Sequence, residues 1–199
     1  MTAPWNRSRP IYKGLTLDEG ASRHLLALQG EGALALLDKA TALSADTLRR
    51  SAVFYVPDAA ANHSVALSAL PLHTVWTTPT VATLLPRLRT ELSVAHMSTR
   101  LGAAGTEGFI GQVVQVALEF GIDHASIATE HRGSLARRVQ CVHCKGITED
   151  VRTSPVICSH CGLSLLVRDH YSRRLGAFQG VCIDAEEPGT APPVEVLFP

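Results

Sequence analysis

The stretch CVHCKGITEDVRTSPVICSHCG, Cys141 to Gly162, carries four of the chain's five cysteines as two C-x-x-C pairs. Thirteen residues, Lys145 to Ile157, separate the pairs. A C-x-x-C hairpin offers two sulfurs to one ion and aims backbone N–H groups at them, and two such hairpins close a tetrahedral site. Cys141, Cys144, Cys158 and Cys161 are therefore the candidate metal ligands. Gly162, directly after Cys161, suits the positive φ such a hairpin requires, and Gly146 lies one position later in the first hairpin.

Zinc suits this donor set, and iron in a rubredoxin-type site would use the same four-sulfur geometry. No Phe, Tyr or Trp occurs between Cys141 and Cys161, and the C-x4-C-x2-C pattern of plant-type iron–sulfur proteins is absent, which favours zinc. With every position taken by protein sulfur, no place is left for water or substrate, so the ion is expected to be structural. His143 and His160, inside the hairpins, read as exposed turn residues. Cys182, 21 residues beyond Cys161, reads as a buried apolar thiol and not a ligand.

The elements that must hold this cluster sit in a chain of 199 residues, 46% of them apolar, enough for a sizeable core. The apolar runs are too short to cross a bilayer, and Met1–Gly20 shows no secretory apolar region. The expectation is a soluble, cytoplasmic protein in a reducing compartment, where paired C-x-x-C motifs bind metal more often than they form disulfides. The formal net charge is zero, with 18 basic and 18 acidic residues, which weighs against nucleic acid as partner. The charge is uneven: Arg132–Arg174 holds eight basic residues against Glu149, Asp150 and Asp169, and Ile183 onward holds four acids and no base.

Four segments are expected: an irregular lead-in over 1–20, with Pro4, Pro10 and Gly14; an α/β domain over 21–135; a zinc ribbon over 136–182; and an acidic, Pro-containing tail over 183–199. In the α/β domain, strands are expected at His24–Leu28, Ala52–Val56, Leu72–Trp76, the start of Thr99–Gly105, and Ala125–Thr129. Helices are expected at Gly32–Leu43, at Pro79–Leu92 with Pro86 kinking or dividing it, and from Glu107 to Phe120, ended by Gly121. Short apolar strands alternating with helices predict a parallel five-stranded sheet with flanking helices on both faces.

GTEGFIGQVVQVALEFGIDHASIATEHRG (Gly105–Gly133) resembles the closing βαβ of the ferredoxin reductase nucleotide-binding domain, and HLLALQGEGALALL (His24–Leu37) resembles its first strand and phosphate turn. The family's Cys-Gly-Pro has Ala104 for its Cys and Thr106 for its Pro; Gln29 replaces the leading Gly of the phosphate turn, and Leu34 and Ala35 stand for its Thr-Pro. Glu31 adds a negative charge beside the phosphate position. The resemblance thus implies a degenerate nucleotide-binding scaffold that has lost its nucleotide.

GSLARRVQCVHCKGIT (Gly133–Thr148) and LSLLVRDHYSRRLGAFQGVCID (Leu163–Asp184) resemble the small, cysteine-rich subunit of the bacterial dimethylamine monooxygenases. The match rests on Ala136–Cys144, Cys158–Gly162 and Asp169–Ala177. It implies an accessory, structural subunit of a heteromeric complex in which a haem subunit demethylates a secondary amine to release formaldehyde. A separate subunit with FMN and an iron–sulfur cluster would draw electrons from reduced pyridine nucleotide. Haem, FMN and the iron–sulfur cluster are expected on these partner subunits, and this chain shows no catalytic arrangement of its own. Asp169, His170, Tyr171, Arg173, Arg174 and Phe178 are the candidate partner-binding residues, since Tyr and Arg are enriched at interface hot spots. The alternative is that Tyr171 and Phe178 pack beneath the hairpins while both arginines are merely solvated. A rubredoxin-like electron carrier, a pyridine-nucleotide-binding reductase subunit and a zinc-ribbon nucleic-acid binder remain open as rivals.

Overall fold

A computed structural model describes residues 8–59 and 61–199; the start of the expected lead-in, residues 1–7 with Pro4, lies outside the described residues. The chain divides into two compact units, Tyr12–Gly133 and a second made of Met1–Ile11 with Ser134–Pro199.

In the first unit, β1 (Arg23–Gln29), β2 (Ser51–Val56), β3 (Thr74–Thr77), β4 (Thr99–Gly105) and β5 (Ala128–His131) pair in the order β3-β2-β1-β4-β5. Every pair is parallel, as the alternation of strands and helices predicts. Both faces are covered, so β1 and β2 read as continuous apolar runs. Leu25 and Ala27 face α4 (Val81–Ser93) and α5 (Glu107–Glu119), meeting Leu84, Leu88, Phe109 and Val113. Leu26 and Leu28 face the other layer, which α1 (Leu34–Leu37), α2 (Ala45–Arg49) and α3 (Ser64–Ser68) supply through Leu36, Leu48 and Leu67.

Several elements differ from expectation. The helix expected over 32–43 is a 3₁₀ turn, Gly30–Ala33, followed by one α turn. The chain then breaks because the Lys39 ammonium is drawn to the Leu15 carbonyl and the Glu130 carboxylate. The helix α4 runs through Pro86 undivided, opened by a Thr80 capping box. The last strand starts three residues later than expected, because Asp123 accepts from the Ala125 N–H and caps a 3₁₀ turn over His124–Ser126. α2 and α3, five residues each, are too short for their periodicity to show.

The second unit is a sheet in the order β7-β6-β11-β10-β9, formed by β6 (Arg137–Cys141), β7 (Ile147–Val151), β9 (Val156–Ile157), β10 (Ser164–Ser172) and β11 (Ala177–Cys182). Residues 8–11 belong to it: the Ser8 N–H donates to the Asp169 carbonyl, and the Tyr171 N–H donates to the Ser8 carbonyl. The end of the acidic tail returns to the unit as well. There β12 (Glu195–Val196) pairs with β8 (Thr153–Ser154), and Phe198 joins Val139, Val151, Val167 and Phe178 in the core.

Candidate metal centre

The strand β6 ends in Cys141, and the chain folds straight into a tight hairpin. The Lys145 N–H donates to the Cys141 carbonyl at 3.0 Å, and the Cys141 N–H donates to the Gly146 carbonyl at 2.9 Å. The second hairpin repeats the pattern: Gly162 N–H to Cys158 carbonyl at 3.0 Å, and Cys158 N–H to Leu163 carbonyl at 2.9 Å. The residue after the second cysteine takes the left-handed conformation in both, at φ 76° for Gly162 and φ 65° for Lys145. Gly146 therefore serves a different purpose from the one its position suggests. A Cβ there would collide with the ring of His160, which lies across it from the other hairpin. With Nε2 protonated, His160 donates to the Ile147 carbonyl at 2.9 Å, and Thr148 and Ser159 join the hairpins through their hydroxyls. His143 and His160 are both exposed turn residues, as expected, and His160 in addition ties the two hairpins together.

The four Sγ atoms lie within 4.8 Å of one another, with Cys141–Cys161 at 3.8 Å and Cys144–Cys158 at 3.7 Å. Four sulfurs at about 2.3 Å from a central ion stand about 3.8 Å apart in a regular tetrahedron, so the donor set fits a thiophilic ion. The Gly146 N–H donates to the Cys144 sulfur at 3.4 Å. Burial pushes the Cys158 thiol up, but the N–H groups of His160 and Cys161 and the nearby sulfurs outweigh it and bring it down to about 6. At Cys161 the Leu163 N–H pulls down, but burial and the three other sulfurs push the thiol up to about 12. Four such close sulfurs ionise together only around a cation. Cys182 stands outside the set and is half-buried, its thiol donating to the Asp184 carboxylate at 3.3 Å, which corrects its reading as a buried apolar group.

The six residues grouped as partner-binding do not share one surface. Phe178 is 1% exposed in the core, edge-on to Tyr171 at 5.1 Å between ring centroids. This corrects its placement on a surface, and both rings belong to the unit's interior packing. Asp169 is held by Arg9 and Arg137 at 2.7 and 2.8 Å. Arg137, 6% exposed, stacks on Phe178 and Phe198, its guanidinium carbon 4.0 Å from each ring centroid. That keystone has no sequence signal, since nothing in a single Arg marks it as buried. His170, Arg173 and Arg174 are exposed. The two arginines form the β10–β11 turn, braced where Arg138 donates to the Leu175 carbonyl at 3.0 Å. That tip lies at the far end of β10 from the cysteines, about 26 Å of strand away.

At the carboxyl end of the α/β sheet the turn after β1 is filled by the unit's own side chains. The Gln29 side chain accepts from the Thr106 hydroxyl at 2.8 Å and from its N–H at 3.4 Å. Asp58 lies so close over Gly30, and the Ala104 carbonyl over Gly32, that a Cβ at either glycine would collide. Thr106 caps α5 in place of a proline.

Two family models match this chain, both described as dimethylamine monooxygenase subunit DmmA-like: the N-terminal domain over residues 4–127 and the C-terminal domain over residues 138–181. The chain is 37% identical over 112 residues to a protein named heme-dependent oxidative N-demethylase delta subunit from Ectopseudomonas mendocina (strain ymp). The alignment covers 55% of this chain and 63% of that relative, just under two thirds of its length. Among solved structures, phthalate dioxygenase reductase aligns over 68% of this chain and 46% of its own, at 14% identity and a TM-score of 0.46. An intact type IV self-sufficient cytochrome P450 monooxygenase aligns over 67% of this chain and 19% of its own, at 16% identity and a TM-score of 0.43.

Proposed function

The chain belongs to the DmmA-like family of dimethylamine monooxygenase subunits, and from that premise we propose that it is an accessory subunit of a haem-dependent oxidative N-demethylase, stapled by a structural zinc ion. The complex would remove a methyl group from a secondary amine as formaldehyde. Haem would reside on one partner subunit, and FMN with an iron–sulfur cluster on another. The observation that carries the reading is the closed set of four sulfurs at tetrahedral spacing. Such a set holds an ion without offering a position to substrate, so this chain contributes shape and contacts while partners supply the chemistry.

The α/β unit supports an accessory role. Its parallel sheet has a switch point between β1 and β4, where such folds place nucleotides, yet Gln29 and Thr106 bridge that point and Asp58 lies over the glycine turn. The hairpin tip with Arg173 and Arg174, and His170 near it, is the docking element we assign to an acidic patch of a partner, because two arginines on a braced turn form forked bonds to carboxylates. Co-expression with the haem and flavin subunits, followed by purification and elemental analysis, is the test. The expected result is a complex that contains all three, with one zinc per copy of this chain. Iron in place of zinc would point to a rubredoxin-like carrier, and a chain that purifies alone would remove the subunit reading.

A further inference from the structure

We propose that the four-cysteine site is also an oxidation site: peroxide converts it into two nested disulfides that run between the hairpins, Cys144 to Cys158 and Cys141 to Cys161. The inference rests on the reading of the four sulfurs as one metal site. It adds a second, metal-free state in which the hairpins stay fastened.

The four sulfurs differ in their access to solvent. Cys141 and Cys158 are 0% and 2% exposed, whereas Cys144 and Cys161 are half-buried. Each hairpin therefore holds one buried sulfur and one that a small oxidant reaches. Short contacts cross between the hairpins: Cys144 meets the buried Cys158 at 3.7 Å, and Cys161 meets the buried Cys141 at 3.8 Å. Every reachable sulfur thus has a buried sulfur of the other hairpin against it. A disulfide needs about 2.05 Å between its sulfurs, so each pair has about 1.7 Å to close. An ion at the centre props the sulfurs apart, and its departure leaves room for that movement. His160 and the Thr148–Ser159 contact hold the hairpins together meanwhile, so the sulfurs stay opposed without the ion. The two links nest, since Cys141–Cys161 spans 20 positions and Cys144–Cys158 spans 14.

Susceptibility to oxidation follows thiolate character and exposure, so the half-buried sulfurs react first. The Cys144 or Cys161 thiolate attacks one peroxide oxygen. The O–O bond breaks, leaving a sulfenic acid and a hydroxide that takes up a proton. The facing Cys158 or Cys141 thiolate then attacks the oxidised sulfur. An S–S bond forms, the S–O bond breaks, and the second hydroxide is protonated to water. Each pair gives up two electrons, and one peroxide becomes two waters. With its donors consumed, the site no longer binds a cation. On the reading above, an oxygen-activating haem partner is a nearby source of peroxide whenever reduced oxygen escapes before it meets the amine. Cys182 stays out of the exchange, because its thiol is turned to the Asp184 carboxylate at 3.3 Å.

The test loads the purified full chain with zinc and treats it with hydrogen peroxide. Zinc release is followed with a chelating dye, free thiols are counted, and disulfides are mapped by mass spectrometry of an unreduced digest. The expected result is one zinc released for two disulfides, Cys144–Cys158 and Cys141–Cys161, with free thiols falling from five to one and Cys182 the survivor. Hydrogen exchange in β6, β9 and β10 should stay slow in the oxidised form, and dithiothreitol with zinc should restore the starting state. Cys182→Ala, which leaves all four sulfurs of the site in place, should give the same map. Disulfides within the hairpins, Cys141–Cys144 and Cys158–Cys161, would overturn the proposal, as would a bond to Cys182, overoxidation with no disulfide, or loss of that protection. A chain that takes up no zinc would sink the metal reading alone, since the same digest of the metal-free chain still decides between the two sets of disulfides.

Discussion

Glu130 shows how one side chain fastens distant residues to the α/β unit. Its carboxylate accepts from the Leu15 N–H at 2.7 Å, from Lys39 at 2.9 Å and from Arg132 at 2.8 Å. Burial alone would raise its pKa, but these three donors outweigh it and hold the group at about 2. The folded value lies below the unfolded one, so the stabilisation is complete above about pH 4.5 and drains away as pH falls toward 2. Glu130→Gln should cost about 2 kcal/mol in urea unfolding at pH 7, allowing for partial screening, and much less at pH 3. An equal cost at both pH values would show that the ionised form contributes nothing. At this scale the clustering of the four cysteines was legible, because C-x-x-C spacing and hairpin geometry imply one another. Phe178 was not, because residue type alone does not say whether an aromatic ring meets a partner or its own core. Lys145 was also hidden: its left-handed backbone is set by its place after Cys144, where glycine would have been the expected sign.

On the proposed reading a shared ion joins the two hairpins far more strongly than the His160 bond, the Thr148–Ser159 bonds and their apolar packing do. Cys144→Ser should therefore release the metal and unravel about residues 139–166, because ligand binding free energy is folding free energy in a small metal module. The unit over Tyr12–Gly133 has its own two-layer core and should persist. Hydrogen exchange separates the two outcomes: protection lost in β6, β9 and β10 but kept in β1, β2 and β4 is expected, and loss everywhere would mean that the units do not fold independently. Long elements were readable from the chain. The strands β1 and β2 are unbroken apolar runs, and α5 shows a full period between a threonine cap and Gly121. Elements set by tertiary contacts were not, as in the turn after α1 that Lys39 ends and the strand that Asp123 delays.

Across the whole molecule the balanced net charge hides two local fields, and the acids at the sheet's carboxyl end bear on ligand choice. Glu31 in the turn after β1 and Asp58 over Gly30 would both face a pyrophosphate there. Titration calorimetry of NADH or NADPH into the isolated chain should show no binding at micromolar concentration, and a micromolar affinity would move the chain into the reductase class. Among the described residues, no helix is long and apolar enough to cross a membrane. Connectivity has a consequence for synthesis. Ser8 and Arg9 find their partners 160 and more positions later, at Asp169 and Tyr171. With translation at about 5–20 residues per second, those first residues wait roughly 10–30 s on the ribosome for the strand that receives them. The α/β unit, encoded between them, has emerged and is free to fold before that. Silent codon changes that slow the ribosome after residue 133 would lengthen the interval in which the leading segment and the half-made cysteine hairpins stand open to proteases and to stray metal.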